Sequence, residues 1–133
     1  MRTSLKPNIT LLVADHDRLA ALAHAAAYDD PETAEMLAEE LERARVVNNG
    51  QAPKDIVRMG SDILFRDDAT KETRRITLVF PGEADIAQNR VSVLTPVGAA
   101  LIGLRAGQSI TWRTRSGEFK RLTVLKVTEP SRS

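Results

Sequence analysis

Two segments near the N-terminus carry apolar residues at the spacing of an α-helix. The first spans residues 15–28, where Asp15 or Asp17 can accept hydrogen bonds from the free amides at the helix start. Its apolar residues follow an i, i+3, i+4, i+7 spacing: Leu19, Leu22, Ala23 and Ala26. The pattern therefore predicts a helix with one apolar face.

The second helical segment begins at Asp30 and Pro31, because aspartate caps free amides and proline needs no partner at the first helical position. The segment is predicted to run to about Val46, and its apolar residues alternate by three and four positions: Ala34, Leu37, Leu41 and Ala44. That spacing is typical of a seam that faces one partner helix. Since only the stretch YDDPE separates the two helices, they are predicted to form a short antiparallel hairpin.

The pattern changes to period two after NNGQAP, residues 48–53, where Asn and Gly favour a helix end and proline cannot prolong the helix. Turn signals at DDATKE, PGEAD and RSGE then separate strands whose apolar residues share a face: Ile76, Leu78 and Phe80 in one strand, and Ile110 and Trp112 in another. The sequence thus predicts an α+β protein. A helical hairpin at residues 1–50 precedes an antiparallel β-sheet domain at residues 51–133, which carries one short helix at 97–103.

Composition is that of a globular protein, since 42% of the residues are hydrophobic and 28% are charged. No apolar run approaches the roughly 20 residues that span a bilayer. The short apolar run near the start reaches Asp15 without a cleavage site, so we read no signal peptide. The absence of cysteine excludes disulfides and thiolate chemistry. We therefore expect a cytoplasmic protein that does not interact with membranes.

Charge is distributed unevenly along the chain. Residues 1–50 carry five Lys and Arg against nine Asp and Glu, whereas residues 51–133 carry fourteen against nine. Proteins that read nucleic acid commonly show clustered basic residues or stacking aromatics, and this chain has five aromatic residues in all. Direct binding of nucleic acid is therefore disfavoured.

The sequence contains no motif that predicts a catalytic or cofactor site. His16 and His24 are eight residues apart and lack a second histidine or cysteine at the spacing of metal ligands. Walker, dinucleotide-binding and nucleophile-elbow motifs are absent. We expect no catalytic residues, no cofactor and no bound metal.

Three carboxylates, Asp29, Asp30 and Glu32, cluster at the predicted hairpin tip. Their oxygens are hard ligands that can hold a divalent cation. Acidic residues at a helix N-terminus are also favoured by the helix dipole alone. The capping interpretation is the stronger of the two.

The stretch SVLTPVGAALIGLRAGQSI contains a stiff corner at Thr95 and Pro96. Proline fixes its own backbone angle and biases the preceding threonine toward an extended conformation. A rigid corner suits protein docking because little entropy is lost on binding. A plain strand-to-helix turn explains the same pattern equally well.

A family resemblance favours the docking interpretation. From Leu41 onward the sequence resembles the bacterial Gre-type transcription elongation factors, in the segments EELERARVVNNG, MGSDILFRDD, RITLVFPGEADIAQNRVSVLTPVGAALIGLRAG and SGEFKRLTVLKV. The short hairpin and the segment PVGAALIGLRAGQSITW are most similar to the short members named regulators of nucleoside diphosphate kinase. The resemblance implies an N-terminal coiled coil and an FKBP-like C-terminal domain. That domain is expected to bind RNA polymerase at the rim of the channel through which nucleotides enter.

The resemblance also implies roles for particular residues. The family's docking loop has an acidic or polar residue followed by Ser-Pro, and the matching positions here are Leu94, Thr95 and Pro96, with Val97 next. Leucine thus replaces the polar residue. Cleavage-stimulating members carry an acidic coiled-coil tip that helps hold magnesium in the polymerase active site, and its counterpart by position is the Asp29, Asp30 and Glu32 cluster.

The predicted helix lengths indicate whether a polymerase-binding member of this family can also stimulate cleavage. A second helix of some 16 residues reaches roughly 24 Å, and the cleavage factors use a hairpin about twice as long. We therefore expect an RNA polymerase-binding regulator that does not stimulate cleavage and approaches nucleic acid only indirectly, within the transcription complex. Two alternatives stay open: a regulator of nucleoside diphosphate kinase, acting on its expression or by contact, and a cleavage-stimulating factor.

The fold name also suggests a prolyl isomerase, which needs an aromatic-walled pocket for a proline ring. The five aromatic residues are better explained as core or isolated side chains: Tyr28, Phe65, Phe80, Trp112 and Phe119. We therefore expect the protein not to be an enzyme.

Overall fold

The computed structural model describes residues 7–114 and 116–129. Residues 1–6 at the start of the predicted hairpin, Arg115 in the predicted RSGE turn and residues 130–133 at the end of the predicted sheet domain lie outside the described part. No helix within the described ranges is long and apolar enough to cross a membrane.

The described chain contains three helices and seven strands, and the mixed α+β architecture that the sequence predicts is confirmed. In chain order the elements are β1 (Thr10–Leu12), α1 (Val13–Ala26), α2 (Pro31–Arg43), β2 (Arg45–Val47), β3 (Asp62–Asp67), β4 (Thr73–Val79), β5 (Arg90–Ser92), α3 (Pro96–Leu101), β6 (Ser109–Arg113) and β7 (Phe119–Thr128). Short 3-10 turns lie at Asn49–Gln51, Pro81–Glu83 and Ile86–Gln88.

The helix α2 starts as the sequence predicts but ends earlier. The Asp30 side chain accepts a hydrogen bond from the Thr33 backbone N–H at 3.4 Å, and Pro31 occupies the first helical position. The prediction that this helix continues to about Val46 is wrong. Residues Arg45–Val47 instead form β2, which pairs in parallel with Thr10–Leu12.

The helix α1 also starts differently from the prediction. It begins at Val13, and its N-cap residue Leu12 has no side chain that can cap the helix. Asp15 lies inside the first turn, and its Oδ2 accepts a hydrogen bond from the Met59 backbone N–H at 3.1 Å. Desolvation by burial raises the pKa of the Asp15 carboxyl, although this hydrogen bond and the nearby Arg58 and Arg18 act in the opposite direction.

Five strands form the main sheet in the order β5-β4-β3-β7-β6. Three of its four strand pairs are antiparallel, whereas β4 and β5 are parallel, so the prediction of a wholly antiparallel sheet is wrong at this pair. Two 3-10 turns between Phe80 and Asn89 return the chain to the C-terminal half of β4, where Arg90 pairs with Thr77. Ile76, Leu78, Ile110 and Trp112 are buried as the predicted strand faces require, whereas Phe80 lies just after the end of β4 and is half-buried.

One hydrophobic core joins the helical part to the sheet. Leu19, Leu37 and Leu41 from the two long helices belong to the same buried cluster as Phe65 and Leu101. The backbone between these parts is connected as well, since the Thr10 N–H donates to the Gly103 carbonyl at 3.1 Å. The two long helices and the sheet therefore share one core.

Candidate functional site

Thr95 turns the chain from β5 into α3 and is the N-cap residue of that helix. Its hydroxyl donates to the Ser92 carbonyl at 2.7 Å and accepts from the Gly98 backbone N–H at 3.0 Å. The Leu94 N–H donates to the Ser92 Oγ at 2.9 Å. Because Pro96 also fixes its own backbone angle at the first position of α3, the corner is held in one conformation.

The four residues of this corner are exposed to different degrees. Pro96 is exposed, whereas Leu94 and Val97 are half-buried and pack against the core. Both hydrogen-bonding functions of the half-buried Thr95 hydroxyl are used within the turn. The exposed surface of the corner is therefore mainly apolar and centred on the Pro96 ring.

Gly98 allows α3 to approach the end of β5 closely. A Cβ at this position would lie 2.2 Å from the Ser92 carbonyl oxygen and 2.8 Å from the Val93 Cα. Both are backbone atoms that cannot rotate away. Glycine at position 98 therefore makes this close packing possible.

The three predicted tip carboxylates occupy different positions around the start of α2. Asp30 caps α2, Asp29 is exposed in the preceding turn, and Glu32 lies in the first turn of α2. Within residues 7–114 and 116–129, no three His, Cys, Asp or Glu side chains are arranged to hold a metal ion. The capping interpretation is confirmed for Asp30 by its hydrogen bond to Thr33.

A groove of about 670 Å³ separates α2 from the β6 side of the sheet. Glu32 and Met36 line it from α2, Pro96 and Val97 line it from the corner, and Trp112 lines it from β6. Part of the predicted tip and part of the predicted docking corner thus share one concave surface. Asp29, Asp30 and Leu94 are not among the lining residues.

The two sides of this groove carry opposite charges. Glu35 belongs to the α2 side, whereas Arg113 and Lys120 belong to the strand side. Sequence reasoning misses the groove because its two sides come from residues about eighty positions apart and no local pattern links them.

A second groove, of about 810 Å³, runs between α1 and α2, and alanine is the most frequent residue in its lining. His16 and His24 both lie on it, and His16 Nε2 is 3.3 Å from the Leu41 carbonyl oxygen. His16 is half-buried and His24 is exposed on α1.

The aromatic residues do not assemble into a prolyl-isomerase pocket within the described part of the chain. Phe65 is buried and Tyr28 is 96% exposed. Phe80 lies under the Arg18 guanidinium, and Phe119 lies 5.9 Å from that of Arg113. Of the five aromatics, Trp112 alone lines either groove.

Comparison with known proteins finds two family models that match this chain. The model described as transcription elongation factor, GreA/GreB, C-term matches residues 52–129. The model described as Rnk N-terminus matches residues 7–47. The two matches meet at the NNGQAP stretch, where the hydrophobic pattern changes.

Individual relatives span nearly the whole chain. The regulator of nucleoside diphosphate kinase from Escherichia coli (strain K12) is 37% identical over 92% of this chain and 90% of that protein. Transcription elongation factor GreA from Chloroflexus aurantiacus is 36% identical over 96% of this chain and 85% of that protein. The solved structure of the prokaryotic transcription elongation factor GreA/GreB from Nitrosomonas europaea is 33% identical, with a TM-score of 0.72 over 92% of this chain and 100% of that one.

Proposed function

Because the chain belongs to the GreA/GreB family of transcription elongation factors, we propose that it binds RNA polymerase without stimulating transcript cleavage. The proposed contact is the corner of Leu94, Thr95, Pro96 and Val97, at the rim of the channel through which nucleotides enter. The protein itself carries no catalytic role in this proposal, and it acts in the cytoplasm, where transcription takes place. Residues 1–50 and 51–133 are proposed as its two domains.

The rigidity of the corner supports its role in docking. Three hydrogen bonds around Ser92 and Thr95 fix the chain before Pro96, so a partner that binds there does not have to order a loop. With leucine at position 94, the contact depends on apolar burial around Pro96 rather than on a charge.

The position of Glu32 is the main observation that supports the proposed lack of cleavage stimulation. One of the three tip carboxylates lines the same groove as Pro96 and Val97, which are the proposed docking residues. A carboxylate beside the docking surface cannot also reach a metal ion deep inside the partner. The helix lengths agree, since 14 residues of α1 and 13 of α2 extend about 21 Å and about 20 Å.

Weakened docking is the expected result of changing the corner. The double replacement Thr95→Asp and Pro96→Ala introduces charge at the contact and loosens the first turn of α3. We expect the affinity for core RNA polymerase to fall about tenfold or more, which corresponds to about 1.4 kcal/mol. Binding and the thermal midpoint are measured together, and an unchanged affinity in a folded double variant excludes this corner from the interface.

The cleavage test uses backtracked RNA polymerase. The protein alone is expected to leave the transcript intact, and together with a cleavage factor it is expected to inhibit that factor by occupying the rim. The Thr95 and Pro96 changes relieve this inhibition. The control replaces Asp29 and Asp30 by asparagine: cleavage by the unmodified protein that disappears in this variant overturns the proposal.

A second candidate function follows from the name of the Escherichia coli relative, regulator of nucleoside diphosphate kinase. In this alternative the protein acts on the expression of that kinase or contacts it directly. Affinity purification from native cell extract distinguishes the two candidates. Recovery of core RNA polymerase supports the main proposal, whereas recovery of the kinase without polymerase supports the alternative.

A further inference from the structure

The strand β6 forms one edge of the main sheet. It pairs with β7 on one side, in the register Ile110 with Leu122 and Trp112 with Lys120, and no described strand pairs with its other side. The opposite edge, β5, has only three residues, whereas β6 has five. An edge strand of this length presents backbone groups that another extended chain can pair with.

The hydrogen-bond pattern identifies which backbone groups of β6 point outward. The Val124 N–H donates to the Gln108 carbonyl at 2.9 Å, and the Thr114 N–H donates to the Glu118 carbonyl at 2.7 Å. Hydrogen-bonded pairs alternate along an antiparallel ladder, so Ile110 and Trp112 also bond to β7. The N–H and C=O groups of Ser109, Thr111 and Arg113 therefore point away from the sheet.

The outward edge borders the groove that holds the docking corner. Trp112 and Arg113 of β6 line this groove, Met36 lines its α2 side, and Pro96 and Val97 belong to the same surface. A segment paired with β6 would thus contact the corner as well.

We propose that the β6 edge accepts an extended segment of RNA polymerase as an added sixth strand. This inference rests on the proposed function and names the mode of docking at the same surface. Main-chain hydrogen bonds to Thr111 and Arg113 supply the affinity, and alternate side chains of the segment supply the specificity. On the face toward α2 those side chains meet Met36 and Glu35, which fits apolar and basic residues.

Proline at position 111 tests the added strand directly. Thr111→Pro removes one outward N–H and places a ring against the incoming chain, but it breaks no hydrogen bond to β7, and proline is tolerated on edge strands in this orientation. We expect the affinity for core RNA polymerase to fall about tenfold or more. The matched control Thr111→Val keeps the N–H and the branched shape, and it is expected to bind like the unmodified protein.

Hydrogen exchange on the unmodified protein gives a second readout that does not depend on the folding of the proline variant. The amides of Ser109, Thr111 and Arg113 are expected to exchange rapidly in the free protein and to become protected when polymerase is bound. Unchanged exchange of these amides in the complex overturns the inference. Protection in the free protein together with a dimeric mass also overturns it, because β6 is then paired with a second copy.

The two proposals fail in different ways. If the unmodified protein does not bind polymerase, the proposed function and this inference fall together. If it binds, the Thr95 and Pro96 changes weaken binding, and folded Thr111→Pro binds normally, then docking at the corner stands and the added strand is rejected.

Discussion

Replacing Leu37 by alanine is expected to lower the free energy of unfolding by about 4 kcal/mol, near the upper end of the range for buried leucine. Leu37 has no exposed surface and belongs to the core cluster that also contains side chains of the sheet. A seam between two helices alone would be half open to solvent, and the cost would then be near the lower end. Since the site is enclosed on all sides, the cavity left by the lost methyl groups cannot collapse fully.

Chemical denaturation followed by circular dichroism measures this effect. Leu125→Ala is a matched control, because Leu125 is 39% exposed and its truncation is expected to cost less than about 1 kcal/mol. The helices and the sheet are expected to unfold in a single transition, since they share one core. A loss below about 2 kcal/mol at Leu37, or separate unfolding of the helices, contradicts the shared core.

Replacing Gly98 by alanine is expected to destabilise the protein by about 3 kcal/mol or more. The added methyl group would lie 2.2 Å from the Ser92 carbonyl oxygen, so α3 or the end of β5 must shift. Thr95 bonds to both Ser92 and Gly98, and a shift of either backbone therefore displaces the proposed docking corner too. Polymerase binding is expected to weaken at temperatures where the variant is still folded.

Gly82→Ala is the control for this experiment. No atom lies within 4 Å of a Cβ at that position, so alanine is expected to leave stability nearly unchanged or raise it slightly. Thermal midpoints of the two variants are compared in one buffer. Equal midpoints would mean that α3 does not approach β5 as closely as the structure describes.

The parts of the fold that depend on local chemistry are the parts that the sequence predicts. Apolar spacing identifies the two long helices, and the Asp30 and Pro31 pair marks the start of α2. Alternation identifies the buried faces of β4 and β6 through Ile76 and Trp112. In each case the signal lies within a few residues of the element that it predicts.

The errors arise where a distant partner decides the conformation. Arg45–Val47 continues a helical pattern, but pairing with Thr10–Leu12 makes it a strand. A strand of only three residues, such as Thr10–Leu12, is too short for periodicity to reveal. The parallel pairing of β4 with β5 likewise depends on two consecutive 3-10 turns whose combined direction no local rule gives.

The candidate site follows the same division. The stiffness of the corner is predictable from Pro96, because the constraint is covalent. The closeness of Glu32 to Pro96 cannot be predicted in this way, because it results from packing of α2 against the C-terminal part of the chain. The open edge of β6 becomes visible only when the strand order is known.

Thr10–Leu12 directly precedes α1, and Arg45–Val47 follows α2. Their parallel pairing therefore fixes the base of the two long helices. Extra residues inserted into α1 alone would pull this pairing out of register or shift the apolar seam between the helices. The pair of long helices can therefore be lengthened only by equal insertions in both helices, in multiples of about seven residues that keep the seam aligned. The length of this helix pair thus changes in coupled steps, and a short pair cannot be extended one residue at a time.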